Sequence, residues 1–149
     1  VKPKIKLLSW EILIAAHAGC MRQVENLRSQ RVPAYGAGKL ADWQLHIEGV
    51  LGEYALSKYL NIRWEGKGKL RAPDVGPVDV RTRSKHNYEL ILHKEDEDDR
   101  QFWLLTGTNG EYIVHGYILG SDGKREEYWK DPAGGRPAYF VPQDKLTLE

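Results

Sequence analysis

The stretch Ala72-Pro73-Asp74-Val75-Gly76-Pro77-Val78-Asp79-Val80-Arg81-Thr82-Arg83 decides the fold, because it joins a tight turn to a strand with one polar face. Pro-Asp and Val-Gly-Pro are turn chemistry. Residues 78–83 alternate small or β-branched side chains with charged ones, the period of an extended strand. Asp79, Arg81 and Arg83 then share one face, and Val78, Val80 and Thr82 turn into a core. A bend ahead of the strand brings Asp74 round to the Asp79 side. Two carboxylates held that close repel unless a positive group lies between them, and a hard divalent cation with oxygen ligands is the usual solution. A charged hairpin in solvent is the plainer alternative for the same pattern.

At 149 residues the chain is one domain with room for a sizeable core. Its 41% hydrophobic and 29% charged residues are expected of a soluble globular protein. No apolar run has the length to cross a bilayer, so no membrane partner is expected, and residues 1–8 are basic without the apolar centre of a secretion signal. The single cysteine, Cys20, excludes an internal disulfide and any multi-cysteine zinc site, which fits a reducing, cytoplasmic location. The net charge of +1 conceals an uneven distribution. Residues 58–86 carry eight Lys/Arg against three Asp/Glu, whereas residues 87–131 carry five against eleven. Positive charge is thus gathered around the acid pair, as a binder of phosphate backbones requires.

Ser9 is a plausible N-cap for a scaffold helix over 9–30, with Trp10, Leu13, Ile14, Ala18, Met21, Val24 and Leu27 as its core-facing stripe. His17 and Cys20 are expected in the core with them. A linker at 31–38 leads to a central helix over 40–60, apolar on two sides and so expected to be sandwiched. Gly49 and Gly52 would let another backbone approach that helix, and Glu53 falls in the narrow sector between its apolar faces. Glu48 lies some 140° round the helix from Glu53 and cannot line the same site. Residues 62–119 read as the sheet with the acid cluster: two short strands within 62–71, the strand from Val78, a hairpin return over 88–92, and strands at 102–106 and 112–119 joined by Gly-Thr-Asn-Gly. The acidic run 94–100 reads as a solvated loop or at most two helical turns. Residues 120–149 are a polar C-terminal segment with a short strand at 138–141. The expected architecture is a mixed α/β domain, one sheet of about six short strands with two N-terminal helices packed on it.

Gly52-Glu53 on a central helix, then Pro73-Asp74, then Asp79-Val80-Arg81 on a strand resembles the PD-(D/E)XK nuclease superfamily, in particular the small single-domain members encoded by bacteriophages. The resemblance spans about residues 42–119. It implies a restriction-endonuclease-like core and metal-dependent hydrolysis of phosphodiester bonds in DNA, in a bacterial or phage-infected host cell. Glu53, Asp74 and Asp79 would hold Mg²⁺ or Mn²⁺, and Arg81 would stabilise the transition state. Lys67, Lys69, Arg71, Arg83, Lys85 and His86 are the expected nucleic-acid contacts. Two features depart from the family pattern. Arg81 stands where that family usually has Lys, and an arginine stabilises charge but does not accept a proton, so either Lys85 reaches in from the hairpin, the metal alone activates water, or turnover is weak. Residues 94–101 are also too short for a full crossover helix. Two other functions stay open: a non-catalytic nucleic-acid-binding module with a degenerate site, and a phage interaction factor that uses the acidic run on a host protein. A homodimer is a further open arrangement.

Overall fold

The computed structural model describes residues 1–29, 42–66 and 73–149. Among the described residues, seven strands form two sheets where the sequence predicts a single sheet of about six. The larger sheet has the order β1-β5-β4-β2, built from β1 (Lys4–Lys6), β2 (Asp79–Arg83), β4 (Gln101–Thr108) and β5 (Glu111–Leu119). The smaller has the order β3-β7-β6, built from β3 (Leu90–Leu92), β6 (Trp129–Lys130) and β7 (Ala138–Val141).

β4 is the centre of the molecule, since its Phe102-Trp103-Leu104-Leu105 run is buried on both faces, which is why it reads as continuous and not alternating. Trp103 and Leu105 point to a core shared with helix α2 (Asp42–Leu60), and Phe102 and Leu104 to a second core closed by Leu90, Leu92 and Val141 of the small sheet. Each such side chain contributes about 1.5–3 kcal/mol by leaving water. β4 returns into β5 through Asn109-Gly110, whose φ values of 56° and 92° are those of the tight two-residue turn that Asn-Gly favours.

β2 pairs with β4 in parallel, Asp79 opposite Phe102 and Arg83 opposite Thr106. The expected hairpin return over 88–92 is therefore corrected. β3 pairs instead with β7, Leu90 opposite Val141, because its apolar Leu90 and Leu92 supply the second core. The connection between the parallel strands thus passes through the small sheet without a helix, and residues 93–100 form turns. Residues 62–66 carry no strand, and the rest of the expected 62–71 pair lies outside the described residues. The C-terminal segment also contains a short helix α3 (Gly120–Gly123) and two 3-10 turns, Glu126–Tyr128 and Gln143–Lys145.

Among the described residues, α2 is the helix that rests broadly on the large sheet, and helix α1 (Ser9–Ser29) rests on α2. From Val50 to Ser57, α2 is buried at all positions but Tyr54, as a sandwiched helix must be. It ends at Asn61, whose φ of 55° lets Ile62 N–H reach the Ser57 carbonyl at 2.9 Å and Asn61 N–H the Lys58 carbonyl at 3.3 Å. The orientation of α1 is a second correction. Its buried face is Glu11, Ala15, Gly19 and Gln23, and the apolar stripe points outward, with His17 exposed and Cys20 half-buried. Polar bonds and small residues decide this orientation. Lys58 Nζ donates to Glu11 Oε1 at 2.8 Å, Asn26 and His46 bond at 2.9 Å, and a Cβ on Gly19 would stand 2.7 Å from Ile47 Cα.

Candidate functional site

The turn Val75-Gly76-Pro77-Val78 is closed by two backbone bonds between Val75 and Val78, of 3.0 and 2.9 Å, and Gly76 supplies its left-handed position at φ 51°. The chain therefore doubles back and lays Asp74 beside the first residues of β2. Asp74 N–H donates to Asp79 Oδ1 at 3.0 Å, and Val80 N–H donates to Asp74 Oδ2 at 3.1 Å, so the two acids are tied reciprocally. Val78 and Val80 are buried toward α2, and Thr82 meets Gly52, where any side chain would collide with its hydroxyl. That close approach puts Glu53, the next residue of α2, at the same end of the site.

Glu53 is 5% exposed and is held by a fork of Arg22 from α1, Nη1 to Oε2 at 2.5 Å and Nη2 to Oε1 at 3.0 Å. Arg100 Nη1 donates to Asp79 Oδ2 at 3.1 Å. Arg81 donates to Asp96 Oδ1 at 2.7 Å and lies over the Phe102 ring at 5.0 Å, while Asp96 Oδ2 accepts from His93 N–H at 2.7 Å. Glu53 and Asp79 are thus bonded to arginines, and among the described residues the Asp74 carboxylate accepts its hydrogen bond from a backbone N–H. Its carboxyl is pushed up to about 7, first by burial and then by the charges of Glu53 and Asp79, against smaller opposing effects of Val80 N–H and Arg81. Burial also works against the charge on Arg22, but the bond to Glu53 and the nearby acids outweigh it and leave its pKa above the usual value.

The donor chemistry suits a hard divalent cation, being three carboxylates of which Asp74 is hindered from ionising by the other two. The ligand geometry is not set in advance. No group of three or more His, Cys, Asp or Glu among the described residues stands ready to hold a metal ion, and arginines are bonded to Glu53 and Asp79.

The other expected contacts lie elsewhere. Lys85, in the turn after β2, sits 5.6 Å from the Tyr88 ring, and Asp79 is at the opposite end of that strand, about 13 Å from Arg83 at 3.3 Å per residue. Arg83 lies over the same ring at 4.2 Å and donates to the Glu89 carbonyl at 2.9 Å, and the exposed His86 offers its carbonyl to the Gln143 amide at 2.8 Å. Lys67, Lys69 and Arg71 lie outside the described residues. Glu48 is apart from the acids, accepting from Asn109 N–H and Tyr112 Oη at the β4–β5 turn.

Three participants escaped the sequence reading: Arg22, Arg100 and Asp96. The signal for Arg100 was its place just before β4, which parallel pairing with β2 brings beside Asp79. Arg22 and Asp96 depended on the packing of α1 and the folding of residues 93–100, which no spacing rule announces.

Fold and site together define a mixed α/β protein in which the buried Glu53 and Asp79, each bonded to an arginine, lie near the half-buried Asp74. Comparison with known proteins gave no match to any family model, curated protein or solved structure.

Proposed function

We propose that the cluster is the active site of a metal-dependent nuclease that hydrolyses phosphodiester bonds in DNA, on a restriction-endonuclease-like core. The observation that carries this reading is the approach of Glu53 from a helix and Asp79 from a strand to Asp74 in a turn, where burial and their two charges outweigh the opposing effects of Val80 N–H and Arg81 and raise the Asp74 pKa. Packing a helix on a mixed sheet whose acid-bearing edge strand runs parallel to its neighbour also supports it. Glu53, Asp74 and Asp79 would hold Mg²⁺ or Mn²⁺, which when bound supplies an acidified water and charge neutralisation at the phosphate. Arg22, Arg81 and Arg100 would lie beside the bound phosphate, where guanidinium forks match its oxygens. Arg81 stabilises charge there and takes no proton. Lys85, Arg83 and His86 would contact the backbone further along the strand.

The test is cleavage of plasmid and linear DNA with and without millimolar Mg²⁺ or Mn²⁺, comparing the wild type with Asp79→Ala. Metal-dependent cleavage lost in Asp79→Ala with DNA binding kept is the expected result; no cleavage with either metal refutes the hydrolase. One observation favours a second reading, a DNA-binding module without turnover: the arginine fork on Glu53 already neutralises one of the three acids. That module would bind DNA equally with EDTA or Mg²⁺ and lose salt-dependent affinity on Arg83→Ala with Lys85→Ala. The interaction-factor reading is weaker, because Asp96 turns inward to Arg81 and Asp98 pairs with Lys124 at 2.6 Å.

A further inference from the structure

Six of the large apolar side chains left exposed among the described residues lie on the outer face of α1. Trp10 is 56% exposed, Leu13 71%, Ile14 47%, Met21 52%, Val24 38% and Leu27 57%. At 100° per residue these side chains lie diametrically opposite the buried face of Glu11, Ala15, Gly19 and Gln23. The helix does not roll to hide them, because Gly19 sits against the Ile47 backbone and Arg22 and Glu11 are bonded to α2 and its flank. Residues 12–21 carry no Asp, Glu, Lys or Arg. Within the stripe Trp10, Leu13, His17, Cys20, Val24 and Leu27 are spaced 3-4-3-4-3, the a/d pattern of a helix that packs on another helix.

We propose that this face docks a second copy of the chain, α1 against α1 and antiparallel across a two-fold axis. Two properties choose that occupant. One is area: the six exposed side chains offer roughly 600 Å², already at the upper end for a monomer's largest apolar patch and close to the ~800 Å² per partner of a stable interface once a rim is added. The other is self-complementarity. An antiparallel pair centred between Ala18 and Gly19 sets Trp10 against Leu27 of the partner subunit, Leu13 against the partner's Val24, and His17 against the partner's Cys20. Every layer is then filled without burying a charge, and the smallest side chain lies near the axis. A lipid surface fits less well, because the exposed charges of the helix, Glu25 and Arg28, cancel, whereas interfacial helices carry an excess of Lys and Arg.

The test is light scattering behind gel filtration from 5 to 100 μM (roughly the range in which an interface of this area is read) on the wild type and on Leu13→Glu with Val24→Glu. The wild type is expected at twice 17.1 kDa, and the variant at 17.1 kDa with unchanged circular dichroism, since both replaced residues are exposed. His17→Cys gives a register test: oxidation should link it to Cys20 of the partner subunit, and adding Cys20→Ser should abolish that link. A wild-type monomer throughout the range overturns the proposal, as does a dimer that survives both glutamates. A monomer that binds anionic vesicles through this face assigns it to lipid and overturns it equally.

Discussion

Replacing Asp74 by Asn tests the electrostatics of the acid cluster without metal or DNA. The Asp74 carboxyl titrates near 7 in the folded chain, against 3.8 for an ordinary aspartate. The unfolded chain therefore releases this proton around pH 3.8, and the folded chain holds it until about 7. Across that window the folded state binds more protons, so stability falls as pH rises and the loss is complete above pH 7. Three pKa units correspond to about 4 kcal/mol at most, and solvent screening at a half-buried carboxyl reduces this to about 1–3 kcal/mol. Asn keeps an oxygen for Val80 N–H and removes the charge. Urea denaturation at pH 5 and pH 8 should find Asp74→Asn more stable than the wild type at pH 8 by about 1–3 kcal/mol, with most of the gain gone at pH 5. In thermal melts this is about 3–8 °C for a chain of this size. Millimolar Mg²⁺ should close the gap by stabilising the wild type alone, if the acids hold the ion. A variant no more stable than the wild type at pH 8, or a difference equal at both pH values, refutes the reasoning.

Arg22→Ala leaves the buried Glu53 carboxylate without its fork and should cost about 3–5 kcal/mol in denaturant unfolding, more than half of it recovered by adding Glu53→Gln. Gly52→Ala drives a methyl group into Thr82 and should cost about 1–3 kcal/mol, part of it relieved by Thr82→Ala; additive costs would remove this contact from the account of how Glu53 is placed. His115 is driven down to about 4 by burial and then by Lys2 and His86, with Lys2 Nζ 2.7 Å from Nδ1 and Thr106 Oγ1 2.6 Å from Nε2. The unfolded chain takes up this proton near 6.5 and the folded chain resists until about 4, so the wild type should lose melting temperature between pH 7 and pH 5 that His115→Gln keeps.

Where local chemistry dictated structure, the sequence announced it. Asn109-Gly110 is a turn because both positions need positive φ, and residues 50–57 are buried nearly all round because their apolar positions occupy two sides of the helix. The turn at Gly76 and the alternation after it likewise place Asp74 against Asp79 and send Val80 inward. What stayed hidden is the choice of partner. Leu90-Ile91-Leu92 follows a strand and a polar turn, so a hairpin is the natural reading, yet the chain buries those side chains better against Val141 than beside β2. Periodicity in α1 likewise reports an apolar face without saying what covers it. The weaker-looking side won, because Glu11, Gly19, Arg22 and Asn26 each have a partner on α2 or its flank.

The same interactions explain how an acid cluster survives folding in the absence of a metal. Three carboxylates in one half-buried place repel strongly, and an arginine on Glu53 and another on Asp79 remove most of that cost. Asp74 bears what remains, as a raised pKa. Under the hydrolase reading this division has a functional consequence. Glu53, Asp74 and Asp79 would hold the cation, which would supply the positive charge that Arg22 gives Glu53 and Arg100 gives Asp79 without it, and both guanidinium groups could then turn to a phosphate. Metal and DNA would then bind cooperatively, each more tightly when the other is present. Arg22 would couple the two steps: Arg22→Ala should weaken DNA binding in the presence of Mg²⁺ while leaving Mg²⁺ affinity without DNA unchanged or improved. Equal loss of both affinities would make Arg22 a purely structural partner of Glu53.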